Sequence, residues 1–268
     1  RDIRQRIAGQ LGIILPKVRV RDSLKLDKFQ YQIKIEGMPI AVSTAYPDMF
    51  LAIDHGAVTR RLEGSEILDP ATGRPALWID VQQCDEAIEN GYAVLGAAEA
   101  IVRHLGEIGR QHADELLTRD ATRHLVDQLR DTSPTVVNEL IPKQLSLSEV
   151  QQILQLLLRE SVSIRQLSAI FETLGDYAAK IKDPILLTEY VRVRLARSIC
   201  LQYRSPSGIL RVATLDPQLE AKILDGFDHK ATGLQITLPP HIKETVVRAI
   251  ADSAKRLKAA GYPPIMLV

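Results

Sequence analysis

The chain has 268 residues, of which 46% are apolar and 25% are charged, and this composition predicts a globular protein with more than one folding unit. A formal net charge of +1 creates no overall field that would attract nucleic acid or an anionic membrane, so either contact would need a local patch. Cys84 and Cys200 lie far apart without a CxxC or Cys/His pattern, which argues against a disulfide framework or a zinc site and predicts reduced thiols in a cytosolic setting.

The sequence shows no membrane-spanning or secretion signal. No apolar run approaches the roughly 18 residues that a spanning helix needs, and no basic and then apolar stretch opens the chain. Because the chain begins at Arg1 rather than Met and ends on the apolar residues 265–268, we expect a soluble piece of a longer protein.

The first 47 residues predict a helix that is followed by β structure. Apolar residues at helical spacing end near Gly12, and the later ones alternate with polar residues, which is the period of a strand. The predicted elements are a helix marked by Ile3, Ile7 and Leu11, a strand at 18–21, and a hairpin whose strands at 31–35 and 40–42 flank a turn at Gly37.

Residues 48–96 predict a small α/β unit that begins after Pro47. Gly91 supplies the left-handed residue that ends a helix in this unit. The predicted elements are strands at 50–53, 76–79 and 92–95 and a helix at 82–90, followed by a long helix at 97–117.

Five helices are predicted between residues 118 and 200, and the start of each is marked by a capping residue or a proline. The start signals are Thr118, Ser133-Pro134, a capping box of Ser146 and Glu149, Ser163 with Gln166, and Asp183-Pro184. Gly175 supplies a stop for the fourth helix. Short links between the helices predict a compact all-α unit.

The last three of these helices carry apolar residues at helical spacing, which is typical of a helix with one buried face. The three stripes are Val150, Ile153, Leu154, Leu157 and Leu158; Leu167, Ile170, Phe171 and Leu174; and Leu187, Tyr190, Val191 and Leu195. We expect these residues to form the core of the helical unit.

From about residue 209 the pattern is strand, helix, strand, helix, strand, which predicts an α/β unit. The predicted elements are a strand with Leu210 and Val212, a helix opened by Asp216-Pro217, an extended piece at 236–238, and a helix at 240–259 that ends at Gly261.

Several segments resemble one family of export proteins. The segments ESVSIRQLSAIFETLGDYA and KDPILLTEYVRVRLARSI are similar to the cytosolic part of the large export-gate subunit of bacterial type III secretion systems, which occur in flagella and in virulence injectisomes. Further agreement extends along the chain, in VRVRDSLKLDKFQYQIKIEG, YPDMFLAID, LDPATGRPALWID and HADELLTRDATRHLVDQL.

The resemblance implies a multi-domain α/β fold that works by binding. It divides the chain into a first α/β domain at 1–47 plus 97–117, an inserted α/β domain at 48–96, a central all-α domain at 118–200, and a C-terminal α/β domain at 201–268 that we expect to be incomplete. The implied full-length protein is anchored at the cytosolic side of the inner membrane. The implied function is a ring, a nonamer, that docks export chaperone–effector complexes and the gatekeeper, with no metal or organic cofactor.

The loop that begins at Asp69 has two interpretations. Asp69, Pro70, Thr72 and Gly73 are turn residues ahead of a strand. In the flagellar branch the matching loop frames a hydrophobic depression that binds chaperones, so the resemblance makes these residues, with Arg103, a partner-binding site. Thr72 stands where the flagellar pattern has an aromatic residue, and Arg103 where it has a small hydroxyl residue, so an apolar depression would be lost. These departures favour the injectisome branch over the flagellar one.

Two groups of charged residues have helical spacing or lie at a helix junction. The simpler interpretation is a solvated surface with i, i+3 ion pairs. By the resemblance they are candidates for the interface of the ring, in which Arg suits partly desolvated pairing. The candidates are Arg159, Glu160 and Arg165, and Glu189, Arg192, Arg194 and Arg197. The alternative is a monomeric fragment whose assembly depends on a membrane segment.

Catalytic patterns are weak. His104, His112 and His124 form no HExxH motif and are interpreted as packing or surface residues. The Asp69 loop lacks the GxxxxGK[ST] pattern of a phosphate-binding loop, and the acidic neighbours of Cys84 should raise its pKa. An enzyme that uses the loop or the histidines is the alternative from another class, and metal and nucleotide titrations of the melting temperature would reveal it.

Overall fold

The computed structural model describes residues 2–205, 207–230, 233–236 and 238–267 as a mixed α/β protein, which confirms the predicted fold class. The chain divides into two compact units, the first comprising Arg1–Asp131 and Val150–Gln166 and the second Thr132–Glu149 and Leu167–Val268. The finer division into four domains stays a prediction. No helix among the described residues is both long enough and apolar enough to cross a membrane.

The helices and strands occur in the following order along the chain. Through residue 116 they are α1 (Asp2–Leu11), β1 (Gln30–Ile35), β2 (Met38–Thr44), β3 (Phe50–Asp54), β4 (Ser65–Leu68), β5 (Pro75–Ile79), α2 (Cys84–Glu89), β6 (Tyr92–Gly96), α3 (Ala97–Gln111) and α4 (Ala113–Leu116). The rest are α5 (Arg119–Thr132), α6 (Pro134–Leu140), α7 (Leu147–Arg159), α8 (Leu167–Tyr177), α9 (Pro184–Arg194), α10 (Ala196–Tyr203), β7 (Ala213–Thr214), α11 (Pro217–Asp225), β8 (Phe227–Lys230), β9 (Gly233–Ile236), α12 (Pro240–Ala259) and β10 (Met266–Leu267).

A four-stranded antiparallel sheet in the order β4-β5-β3-β6 is the centre of the first unit. One face packs Leu51 and Trp78 against Ala100 of α3, and the other packs Ala52 and neighbouring apolar residues against Ala87 of α2. Because successive strand side chains point to opposite faces, the sheet contributes to two hydrophobic cores, one on each face. The predicted strands of this sheet are confirmed, whereas β4 was missed because it is short and mostly exposed.

The predicted β1–β2 hairpin is confirmed, and it packs Ile33 and Ile35 on Ile108 of α3. The predicted strand at 18–21 is wrong, because that stretch has neither helix nor strand in the structure. A hydrophobic alternation marks a strand only when another strand is available to accept its hydrogen bonds.

Two predicted helix boundaries, one in each unit, are wrong. The long helix at 97–117 breaks at His112, where φ is −109° and ψ is 29°, and α4 continues after it. The helix predicted from Ser163 begins only at Leu167, because residues before it extend toward α1, where the Ile164 N–H donates to the carbonyl of Leu11 at 2.9 Å. Burial of that segment overrides its local capping signal.

The capping box that opens α7 is confirmed. The backbone N–H of Glu149 donates to Ser146 Oγ at 3.2 Å, and the backbone N–H of Ser146 donates to Glu149 Oε2 at 2.7 Å. The predicted stripe is fully buried, and its members are Val150, Ile153, Leu154, Leu157 and Leu158. Local chemistry and periodicity therefore agree for this helix.

In the second unit α8 and α9 bury most of their predicted stripes. Asp183 Oδ1 accepts from the Ile185 N–H at 2.8 Å, which confirms the predicted cap of α9. Helix α8 continues past Gly175 to Tyr177, so the predicted stop is wrong; a Cβ at Gly175 would meet nothing within 4 Å, and no packing conflict ends the helix there. Tyr190 is half-exposed rather than buried, and its ring stacks on that of Tyr177 with centroids 4.0 Å apart.

The C-terminal segment confirms the helices α11 and α12 and revises the strands around them. Asp216 caps α11 by accepting from the Gln218 N–H at 2.9 Å. The first strand is Ala213–Thr214, which pairs in parallel with Met266–Leu267, so Leu210 and Val212 lie outside it. The extended piece predicted at 236–238 is represented by the end of β9, and its residue 237 lies outside the described residues.

Candidate functional site

The Asp69 loop connects β4 to β5 by a tight turn. The Gly73 N–H donates to the Asp69 carbonyl at 2.7 Å, and the Asp69 N–H donates to the carbonyl of Arg74 at 2.7 Å. Gly73 has φ of +69°, a region in which glycine carries no steric penalty. The turn that the sequence predicts is therefore present, with Pro70 as its second residue.

The side chain of Asp69 is buried and fully engaged. It is 2% exposed, Oδ1 accepts from the Ala71 N–H at 3.2 Å, and Oδ2 accepts from the hydroxyl of Thr72. The same Oδ2 lies 3.4 Å from Arg103 Nη2 of α3, whose side chain is 30% exposed. A buried carboxylate needs such partners because desolvation of an unpaired charge is costly. The structure thus brings together Asp69, Thr72 and Arg103, three of the predicted partner-binding residues.

A pocket of about 140 Å³ opens beside this ion pair, between the loop, α1 and α3. Sites for drug-sized ligands usually measure roughly 300–1,000 Å³, so this pocket is sized for a single side chain. Its lining residues are Ile7, Gln10, Ala71, Thr72, Val102, Arg103, Gly106, Glu107 and Arg110.

A second ion pair lies on the same side of α3. Arg110 holds Glu107 in a two-point contact, with Nη2 to Oε1 at 2.6 Å and Nε to Oε2 at 3.1 Å, and its Nη1 donates to Ser161 Oγ at 3.1 Å. Burial raises the pKa of Glu107, but the hydrogen bonds from Arg110 and Gln111 and the charges of Arg110 and Arg103 together lower that pKa below its ordinary value. Both charges of the pair are therefore present at neutral pH.

Glu107 and Arg110 were missed by sequence reasoning as pocket residues. Together with Arg103 they stand at i, i+4 and i+7 on α3, a spacing that places side chains on one helix face. That spacing was visible in the sequence, but nothing there showed that α1 and the Asp69 loop close over this face.

The three candidate histidines do not act as a group in the structure. His104 is buried, and its Nδ1 lies 2.8 Å from the hydroxyl of Tyr31. Burial lowers the pKa of His104, against the opposing charges of Asp69 and Glu107. His112 instead contacts Glu115 at 2.8 Å. Among the described residues no group of three or more His, Cys, Asp or Glu side chains could hold a metal ion.

The pKa of Cys84 follows the prediction. Burial raises the pKa of its thiol, and the carboxylate of Asp85 raises it further. Burial likewise raises the pKa of Tyr31, and the charge of Asp69 adds to that shift, against a hydrogen bond with Ser43. Groups with such shifts do not supply a ready nucleophile or base at neutral pH.

The predicted ring residues are exposed in both units, except Arg192, which is partly buried. In the first unit Arg159 Nε lies 3.1 Å from Asp114 Oδ2, and Glu160 and Arg165 are also exposed. In the second unit Arg192 Nη1 lies 3.4 Å from Glu189 Oε1, which is the i, i+3 pair of the simpler interpretation. Arg194 and Arg197 are exposed on α9 and α10. Exposed Ile185 and Val193, two turns apart on α9, were missed as part of that surface.

Comparison with known proteins identifies relatives of the whole chain. The model of the FHIPEP family matches residues 1–268. The flagellar biosynthesis protein FlhA of Bacillus subtilis (strain 168) is 38% identical over 265 residues, which is 99% of this chain and 39% of that protein. The chain therefore spans about two fifths of the length of that relative.

Two solved structures have a similar fold. The cryo-EM structure of nonameric EPEC SctV-C has a TM-score of 0.73 and 26% identity, and the match covers 94% of this chain and 76% of that one. The structure of the Chlamydia pneumoniae CdsV and CdsO complex has a TM-score of 0.81 and 25% identity, with coverage of 94% and 73%. The family match over every residue, supported by these two likenesses, shows that the chain belongs to the FHIPEP family, whose members are components of the type III and flagellar export apparatus.

Proposed function

We propose that the chain is the cytosolic docking platform of a type III export gate, which binds chaperone–substrate complexes and the gatekeeper and does not transform a small molecule. The observation that carries this proposal is the pocket at the Asp69 loop in a member of an export family. The pocket has room for one anchoring side chain, and its ionisable groups are held in the pairs Asp69–Arg103 and Glu107–Arg110. Paired charges of this kind recognise a partner by position rather than react with it.

The proposal places the full-length protein at the cytosolic side of the bacterial inner membrane. Membership in an export family supports that location. The EPEC relative is described as a nonamer and the Chlamydia pneumoniae relative as a complex with CdsO, and we extend both features to this chain as a ring with export-apparatus partners.

Docking at the pocket is tested by calorimetric titration of the chain with the export chaperone–substrate complexes that are encoded beside its gene. We expect Asp69→Ala to weaken binding by roughly tenfold, because Arg103 loses the carboxylate that holds it at the pocket. Arg103→Thr should change the affinity in the same assay, since it replaces the charged group that a partner would meet.

A matched control pair is available on α5, where Arg130 Nη1 lies 2.6 Å from Asp127 Oδ1 on an exposed surface. Asp127→Ala and Arg130→Thr make the same chemical changes away from the pocket and should leave the affinity unchanged. Equal binding by the pocket variants and the control variants would reject the pocket as the docking site.

Ring formation through the charged surface of the second unit is tested by sedimentation velocity at increasing protein concentration. Reversal of the exposed charges in Arg194→Glu and Arg197→Glu should shift the chain toward monomer, because like charges across an interface repel. The control reverses Lys243 and Arg248, which are exposed on α12. Assembly that is the same in the two sets of variants would exclude this surface.

The chain could belong to the injectisome branch or to the flagellar branch of the family, and one observation supports each of them. Thr72 and Arg103 line the pocket and place a hydroxyl and a charged group in it, which supports the injectisome branch predicted from the sequence. The flagellar branch is the second candidate, and the 38% identity to a flagellar FlhA over 265 residues carries it. Replacement of the matching segment of the Bacillus subtilis protein by this chain separates the two. Restored motility supports the flagellar branch, and lost motility with retained protein level supports the injectisome branch.

A further inference from the structure

Residues 16–25, which we name the basic arm, are all exposed and lie between two anchored points. Ile13 and Leu15 before them are buried, and β1 begins at Gln30 after them. The arm contains no helix or strand, apart from a turn that starts at Leu24. Val20 is 92% exposed and Leu24 is fully exposed. A single exposed apolar side chain is ordinary on a protein surface, but here Val18, Val20 and Leu24 are exposed together within one short segment.

The backbone of the arm has unused hydrogen-bonding capacity. Within the described part of the chain, no backbone hydrogen bond joins residues 16–22 to another element. The sequence of this stretch nevertheless has the period of a strand, because the β-branched Val18 and Val20 alternate with Arg19 and Arg21. The failed strand prediction thus has a physical meaning: the arm has a strand sequence and lacks a strand partner.

The positive charge of the arm favours an acidic partner. Lys17, Arg19, Arg21 and Lys25 stand against the single carboxylate of Asp22, which is a net charge of +3 in a chain whose total is +1. In an extended backbone the arginines point to one side and the valines to the other. A nucleic acid or a lipid surface would use the cations and leave the backbone groups unpaired. An acidic strand uses the cations, the backbone groups and the valines together.

We infer that the basic arm is a docking site for an extended, acidic segment of a partner protein, which adds to it as a β-strand. The arm is separate from the Asp69 pocket, and none of its residues lines that pocket. The inference therefore does not depend on the proposed function of the pocket.

The test uses the chain itself and a short blocked peptide of alternating Val and Glu, with fluorescence anisotropy of the labelled peptide as the readout. Three comparison peptides are needed: the same sequence with Gln for Glu, an N-methylated form that cannot pair as a strand, and the acidic peptide at raised salt. We expect each change to weaken binding by roughly tenfold, since each removes the charge attraction or the backbone pairing.

Charge reversal in the chain is the second part of the experiment. Arg19→Glu with Arg21→Glu should abolish binding, whereas Lys243→Glu with Arg248→Glu makes the same change in charge at exposed positions of α12 and should preserve it. Because the side chains of both pairs are exposed, neither change should alter the melting temperature. Hydrogen exchange should show new protection of the amides of residues 18–22 when the peptide is bound.

Three results would overturn the inference. One is equal binding of the Glu and Gln peptides. Another is equal binding of the N-methylated peptide, which would leave only nonspecific charge attraction. The third is stronger retention of the chain on anionic lipid vesicles or on DNA than on the acidic peptide in the same buffer, which would assign the arm to a different class of partner.

Discussion

Removal of Arg103 should destabilise the first unit through the carboxylate that it leaves behind. Asp69 is 2% exposed, so in Arg103→Met its charge keeps only the Ala71 N–H and the Thr72 hydroxyl as donors. Breaking a fully buried pair from one side costs about 3–5 kcal/mol. Arg103 is 30% exposed and two donors remain, so we expect a smaller loss of about 1–2 kcal/mol.

The sharper expectation concerns the double variant. Asp69→Asn removes the charge, keeps one oxygen that can accept from the Ala71 N–H, and places an NH2 group beside Thr72, whose hydroxyl can accept as well as donate. Asp69→Asn combined with Arg103→Met should therefore recover most of the stability lost in Arg103→Met alone. Trp78 reports this locally, because it is the single tryptophan of the chain and lies in the core of the same sheet. Its fluorescence in urea therefore follows the first unit without interference from the second.

The expected loss corresponds to a decrease of roughly 0.3–2 M in the urea midpoint, because a small unit has a slope of about 1–3 kcal/mol per M. Asp127→Asn with Arg130→Met on the solvent-facing side of α5 is the matched control and should show a change below about 0.5 kcal/mol. If the losses at Asp69 and Arg103 simply add in the double variant, the two side chains are not coupled and the argument about the buried pair is wrong.

Three further predictions concern stability. Phe171→Ala should cost about 3–5 kcal/mol in thermal or urea unfolding followed by circular dichroism, because the ring is fully buried in α8. Ser146→Ala should cost about 1 kcal/mol by removing the acceptor of the Glu149 N–H. The backbone and side-chain hydrogen bonds from Ser146 lower the pKa of Glu149, so that cap contributes at neutral pH and its contribution should fade as the pH falls below the ordinary glutamate range. Burial lowers the pKa of His104, so the folded state favours the neutral ring. The free energy of unfolding of the first unit, followed by Trp78 fluorescence in urea, should therefore decrease as the pH falls below the ordinary histidine pKa, which is near 6.5.

Each of these predictions has an outcome that contradicts it. Tyr177→Ala is the control for Phe171→Ala, and similar costs at the two sites would show that burial does not set the loss. If the pH dependence of stability is unchanged in Ser146→Ala, the hydrogen bonds from Ser146 do not cause the pKa shift of Glu149. His104→Gln should flatten the pH dependence of the first unit's stability between about pH 7 and pH 5. An unchanged slope would show that other groups cause this pH dependence.

Local signals in the sequence predicted many elements well. The Ser146 and Glu149 box, the Asp183 cap and the buried stripe of α7 all follow from residues within one or two turns of each other. Such features depend on short-range hydrogen bonds and on a repeat of 3.6 residues, and both are encoded without reference to the rest of the chain.

Errors arose where distant segments compete with a local signal. Ser163 and Gln166 have the spacing of a capping box, yet the backbone N–H of the neighbouring Ile164 donates a hydrogen bond to the carbonyl of Leu11, which lies far away in the sequence. The arm around Val20 has the alternation of a strand, yet no strand lies beside it in the described structure. Neither outcome can be read from residues nearby, because the competing partner lies elsewhere in the sequence.

The candidate site shows the same division. The turn residues of the Asp69 loop and the helix that carries Arg103, Glu107 and Arg110 were each visible in the sequence as separate patterns. Their meeting was not, since the pocket exists only because α1, the loop and α3 converge. The sequence by itself determined most of the elements and the family, because capping, periodicity and residue identity are local properties. The tertiary structure alone decided that Asp69 is buried under Arg103 and that the basic arm pairs with no strand among the described residues, because burial and pairing depend on which distant segments come together.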